Sequence, residues 1–203
     1  MSLFRHAEFE ISVASPSGLP PPFAPEIAFA GRSNAGKSSA INTLVGHTRL
    51  AFVSKTPGRT QLINVFRMKN GVALVYLPGY GYAAVPEKVK REWGLLLEKY
   101  LTLRSNLAGL VLIMDARRPF TPLDRQMVNW FTPTGKPIHC LLTKADKLTR
   151  QEQAKTLSTA KAEATKLGDK ITLQLFSSLK KTGMDEAEAA IGAWLNQASV
   201  AQA

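Results

Sequence analysis

Apolar residues along the chain fall into two alternating patterns. Short, nearly unbroken apolar runs recur at residues 26–30, 62–68, 72–77, 110–115, 138–143 and 172–176, bounded by Gly, Pro, Asn or charged positions, and each predicts a strand. Between them, apolar positions spaced three and four apart predict helices over 37–44, 87–104, 122–130, 150–167 and 184–197. Strands alternating with helices are the signature of a helix-covered, largely parallel sheet, so the expected fold is a three-layer α/β/α sandwich of about six strands. Asn70-Gly71 separates two of the runs and is a hairpin signal, which makes that pair antiparallel, its turn two residues long and the sheet mixed. Residues 1–25, rich in proline from Pro16 to Pro25, are expected to be a lead-in, and the Ala-rich residues 198–203 are expected to fray. The 203 residues suit one domain.

Charge adds a second constraint. The chain carries 26 Lys and Arg against 15 Asp and Glu, a formal net charge of +11. Such a balance suits a polyanionic partner, and RNA benefits from it through phosphate neutralisation, although charges this scattered also suit a generally solvated basic surface. Clusters stand at Arg49, Lys55 and Arg59; Lys88, Lys90 and Arg91; Arg117 and Arg118; Lys144, Lys147 and Arg150; and Lys180 and Lys181. The single cysteine, Cys140, sits in an apolar run and predicts a packing role, with no intrachain disulfide. The N-terminal residues lack the apolar core of a signal peptide and no stretch reaches membrane-spanning length, so a cytoplasmic protein without a membrane partner is expected.

The segment Gly31-Arg32-Ser33-Asn34-Ala35-Gly36-Lys37-Ser38-Ser39 follows an apolar run and precedes a helix. It fills the pattern G-x-x-x-x-G-K-[ST] in the context that pattern requires. Gly31 and Gly36 allow the backbone N–H groups to approach phosphate oxygens, Lys37 sets a cation near the β- and γ-phosphates, and Ser38 offers a hydroxyl to Mg²⁺. Further along, Thr143-Lys144-Ala145-Asp146 ends the fifth apolar run, at the carboxyl edge of the sheet where ligands bind in open α/β folds. There the Asp146 carboxylate can accept from the two N–H groups that guanine has and adenine lacks, while the Lys144 stem lies over the purine face; adenine would leave the carboxylate unpaired.

With these segments, and with Ser54 to Gln61 (SKTPGRTQ), Leu77 to Ala83 (LPGYGYA), Met114 to Arg117 (MDAR) and Leu175 to Lys181 (LFSSLKK), the chain resembles the EngB (YihA/YsxC) family of bacterial P-loop GTPases over nearly its whole length. The resemblance implies a P-loop GTPase fold, with Lys37 and Ser38 on the phosphates and Mg²⁺, Thr60 of Gly58-Arg59-Thr60 as a switch I threonine on Mg²⁺, Gly79 as the switch II glycine, and a loop at Phe176, Ser177 and Ser178 touching the guanine carbonyl. It also implies a role in assembling the large ribosomal subunit, through its rRNA and proteins, and a link to cell division and septation. The family's switch II motif is D-x-P-G, whereas this chain reads Tyr76-Leu77-Pro78-Gly79. A phenol with a pKa near 10 stays neutral at pH 7 and cannot replace an aspartate that steadies Mg²⁺. Asp115 could be offered as a substitute, yet it lies in the family's own MDAR segment and suits a structural role.

Tyr80 follows Gly79 at the position where Ras-like proteins carry a water-orienting glutamine, so slow turnover is expected. Asn34 either shapes the loop or offers its carbonyl to K⁺ beside the phosphates. Trp93, Tyr100, Trp130 and Trp194 suit helix packing, while Tyr80 and Tyr82, flanking Gly81, suit partner contact. The sequence thus reads as a monomeric GTP-dependent switch with Lys37, Thr60 and Gly79 at its catalytic end. The competing reading is a guanine-nucleotide-binding, RNA-binding module that Tyr76 leaves catalytically impaired. An ATP-dependent kinase is disfavoured by Asp146.

Overall fold

The computed structural model describes residues 4, 6–47, 50, 62–81 and 87–200. The expected strands and helices all form. They are β2 (Glu26–Gly31), α1 (Lys37–Val45), β3 (Ile63–Arg67), β4 (Ala73–Tyr76), α2 (Glu87–Leu103), β5 (Leu107–Asp115), α3 (Pro122–Phe131), β6 (Ile138–Thr143), α4 (Arg150–Leu167), β7 (Ile171–Leu175) and α5 (Met184–Val200).

A further strand, β1 (Glu8–Val13), lies within the expected lead-in, so the sheet has seven strands, in the order β1-β3-β4-β2-β5-β6-β7. β1 is an edge strand whose side chains alternate between apolar Phe9, Ile11 and Val13 and polar Glu8, Glu10 and Ser12. It pairs antiparallel with β3, where Phe9 meets Phe66 edge-on with centroids 5.9 Å apart and Arg67 Nε donates to Glu10 at 3.0 Å. The hairpin between β3 and β4 is antiparallel as expected, but its turn is longer than the expected two residues. Met68 N–H donates to Val72 O and Gly71, with φ 83°, closes back on Met68 O, leaving Lys69, Asn70 and Gly71 in the loop. A left-handed glycine at the third loop position is the usual close of such a turn.

The remaining neighbours pair parallel, β4 with β2, β2 with β5, β5 with β6 and β6 with β7. Alternate residues of each central strand enter different cores. Ala28, Leu110, Leu112 and Cys140 pack beneath α2, α3 and α4, and Ile27, Phe29, Val111 and Ile113 pack beneath α1 and α5. Cys140 is fully buried, as expected of a packing residue. Polar anchors fix the helices. Glu26, 2% exposed at the start of β2, accepts from Tyr100 Oη at 3.0 Å and from Arg104 Nε at 3.0 Å, tying the end of α2 to the sheet. Thr121 and Thr149 begin α3 and α4 with capping boxes to Asp124 and Glu152. Among the described residues, no helix is long and apolar enough to cross a membrane.

Candidate functional site

Parallel pairing brings the carboxyl ends of β2, β4, β5, β6 and β7 to one edge, and the segments singled out in the sequence emerge there together. β2 is buried along its whole length and delivers the chain into the Gly31–Ser38 turn. A β-carbon on Gly31 would stand 2.5 Å from the Ile113 carbonyl oxygen, so only glycine lets the turn start against β5. Gly36 adopts φ 95°, a left-handed conformation, and α1 begins at the next residue, directing its positive end into the turn. Lys37 is 5% exposed, its Nζ donates to Gly31 O at 3.3 Å, and no carboxylate among the described residues pairs with it. Burial pushes its pKa down to about 7. A phosphate would supply the counter-charge that the described residues do not.

The loop after β4 lies across this turn. Arg32 and Tyr80 form a parallel bridge in which Ser33 N–H donates to Tyr80 O at 2.8 Å. A β-carbon on Gly79 would lie 3.4 Å from the Ser33 backbone and 3.6 Å from Lys37 Nζ, which places Gly79 beside the lysine. Tyr80 itself departs from expectation. It is half-buried and its hydroxyl donates to Asp124 Oδ1 at 2.8 Å, so the phenol points into the α3 capping box and not outward, where partner contact was expected. Burial raises the pKa of Tyr80, reinforced by the Asp124 charge.

The purine end is assembled from β5, β6 and β7. Thr143 Oγ1 donates to Met114 O at 3.0 Å and contacts Ala35 O, joining the base motif to the phosphate loop. Lys144, with φ 57°, donates to Asn34 O at 2.6 Å and to Asp115 Oδ2 at 2.9 Å. Burial opposes ionisation of Asp115, but hydrogen bonds from Arg117 and Lys144 outweigh it and hold the carboxyl well below the usual range. Asp115 is therefore a brace for Lys144, as its place in the MDAR segment suggested. Asp146 Oδ1 accepts from Ser177 Oγ at 2.5 Å, and Lys180 N–H donates to the same hydroxyl at 3.1 Å. Phe176 is fully buried and contributes backbone only, its N–H donating to Leu142 O and its carbonyl accepting from Ala145. Ser178 is half-buried on the same loop, while Ser39, on the first turn of α1, is exposed. Asn34 is exposed with φ 61°, and its backbone carbonyl is held by Lys144.

Gly58, Arg59 and Thr60 lie outside the described residues, as do Arg49, Lys55 and Tyr82. For a divalent cation, the described donor set is poor. Ser38 Oγ is hydrogen-bonded to Tyr76 Oη at 2.9 Å, Lys37 Nζ stands 4.5 Å from the centroid of the same ring, and no group of three His, Cys, Asp or Glu among the described residues could hold a metal. Among the described residues, one neutral hydroxyl already engaged by a phenol, with no anionic oxygen beside it, does not by itself fit a firmly held Mg²⁺. Sequence reasoning missed Asp124 as the partner of Tyr80, and Gln174, a polar side chain between Leu173 and Leu175, whose place in an apolar run was the available signal.

Comparison with known proteins agrees with this geometry. A family model described as 50S ribosome-binding GTPase matches residues 26–144. A relative named probable GTP-binding protein EngB, from Azoarcus sp. (strain BH72), is 66% identical over 196 residues, covering 96% of this chain and 94% of the relative. One of the same name from Neisseria meningitidis serogroup B is 56% identical over 204 residues, covering 99% and 97%. Among solved structures, a probable GTP-binding protein engB superposes with a TM-score of 0.64 at 21% identity, over 85% of this chain and all but 1% of that one. Era in complex with MgGDPNP and nucleotides 1506–1542 of 16S ribosomal RNA gives a TM-score of 0.63 at 21% identity, covering 84% and 56%; both are likenesses of fold. The chain belongs to the EngB family of GTP-binding proteins, a P-loop GTPase family with an α/β fold.

Proposed function

We propose that this protein is a slow GTPase switch that acts in assembly of the large ribosomal subunit and on which normal cell division and septation depend. The observation that carries the nucleotide reading is the pairing of a buried Lys37, without a counter-charge among the described residues, at one end of the sheet edge with an Asp146 carboxylate set by Ser177 at the other. The phosphate chain lies along the N–H groups of Asn34 and of Gly36 to Ser38 at the start of α1, with Lys37 regaining its charge beside it. Guanine donates N1–H and its amino group to Asp146, its face covered by the Lys144 stem. A γ-phosphate arrives beside Gly79, where the Ser33–Tyr80 hydrogen bond holds the loop, so GTP and GDP favour different settings of that loop. Slow turnover follows from Tyr80, whose hydroxyl is committed to Asp124 and cannot orient water. The GTP-set face, rimmed by exposed Arg117, Arg118, Lys147, Lys180 and Lys181, docks on ribosomal RNA and protein, and the protein works as a cytoplasmic monomer in one domain.

A second reading is favoured by the Ser38–Tyr76 hydrogen bond: a guanine-nucleotide-dependent RNA-binding module that hydrolyses little, because the donor set among the described residues does not fit the metal. Multiple-turnover GTP hydrolysis, measured with and without Mg²⁺, K⁺ and large ribosomal subunits, separates the two. The switch reading predicts turnover that the subunit stimulates, with K⁺ acting through Asn34. Absence of turnover under every condition, with GTP-analogue-dependent subunit binding intact, selects the module.

A further inference from the structure

β7 carries a polar side chain into the interior. Gln174 is 2% exposed, and its amide is saturated by protein groups. Nε2 donates to Gly183 O at 2.6 Å and to Leu175 O at 3.3 Å, the two ends of the loop that bears Ser177. Oε1 meets His139 Nε2 at 2.8 Å, and His139 Nδ1 meets Thr172 Oγ1 at 2.7 Å. Because the amide nitrogen faces two carbonyls, its oxygen must accept, so His139 donates from Nε2 and accepts the Thr172 hydroxyl at Nδ1. The loop so clasped closes on itself through reciprocal Ser177 and Thr182 backbone bonds of 3.2 Å, and Gly183, at φ 79°, leads directly into α5. A β-carbon on Gly183 would sit 2.6 Å from Gln174 Nε2, so the fit is close. Ser177, inside the clasp, is the residue that orients Asp146.

We propose that Gln174, aligned by His139, is a positioning residue for base selectivity: it fixes the loop that presents Ser177 to Asp146, and so sets how well the carboxylate receives the guanine amino group. The inference rests on the guanine-site reading above. Inosine diphosphate keeps the phosphates, ribose and purine carbonyl of GDP but lacks the amino group, so the GDP-to-IDP affinity ratio reports the alignment of that carboxylate. Affinities of the full chain for GDP, IDP and ADP, by displacement of a fluorescent GDP, test it in wild type, Gln174→Met and Thr172→Val. Gln174→Met should compress the GDP-to-IDP ratio by about tenfold while leaving ADP affinity unchanged, the loss expected when a buried polar contact is misaligned. Thr172 is exposed, so Thr172→Val spares folding even if the buried change does not; freeing the imidazole should compress the ratio about threefold. A wild-type GDP-to-IDP ratio in Thr172→Val, or in a folded Gln174→Met, overturns the proposal. Equal wild-type affinity for GDP and ADP instead overturns the guanine assignment beneath it.

Discussion

Tyr76 sets the character of the phosphate end, because its hydroxyl holds Ser38 and its ring covers Lys37. P-loop sites hold their metal between the loop hydroxyl and a strand-end carboxylate, and a neutral phenol supplies neither charge nor a second ligand. GDP affinity should therefore change little when Mg²⁺ is replaced by EDTA. Tyr76→Asp should make GTP binding metal-dependent and raise hydrolysis about tenfold, on the order of 1–2 kcal/mol; unchanged Mg²⁺ titration and turnover would show that the site is completed another way. His139 carries a pH signature. Burial lowers its pKa below the ordinary value, against the opposing hydrogen bond to Gln174 and the Glu186 charge. The folded chain then binds fewer protons than the unfolded one just below the unfolded value near 6.5, so this contribution is present above that pH and is lost as pH falls through the folded pKa. Thermal melts should show a steeper loss of Tm between about pH 7 and 5.5 in wild type than in His139→Gln. Lys37, Ser38 and Asp146 were legible because fixed spacing defines their chemistry. Asp124 was not, since the contact with Tyr80 spans 44 positions and only the fold brings them together.

At the scale of elements, periodicity carried most of the information. Buried central strands such as β2 and β6 are nearly unbroken apolar runs, and their bounds differ little from the pattern. β1 was hidden because an edge strand is apolar on one face only, and Phe9 remains 58% exposed, so its alternation is diluted and a proline cluster follows. The hairpin loop is longer than Asn-Gly alone suggests, because that pair serves two-residue turns and, with glycine at the left-handed third position, longer ones too. Contacts between elements left no local trace. Glu26 and Arg104 are 78 positions apart, yet form a pair with side chains 3% and 13% exposed. Arg104→Met strands the Glu26 carboxylate in the interior and should destabilise the fold by about 3 kcal/mol in urea unfolding, whereas a loss below about 1 kcal/mol would mean that Tyr100 alone satisfies it.

Across the whole molecule, one edge of the sheet gathers the phosphate turn, the base motif and an exposed basic rim. The +11 charge predicts that association with the large subunit or its RNA weakens steeply with salt and is tighter with a GTP analogue than with GDP. Charge reversal at Lys180 and Lys181 should weaken it while sparing GDP binding. Salt-insensitive or nucleotide-independent association would count against the switch. Recognition of guanine by Asp146 underlies each of these expected outcomes. Competition of GDP and ADP for the same site, in wild type and in Asp146→Asn, tests it most directly. GDP should bind at least about a hundredfold more tightly than ADP, and Asp146→Asn should shift preference toward xanthosine diphosphate, whose carbonyl can accept from the new amide. Comparable GDP and ADP affinities in wild type would contradict the account.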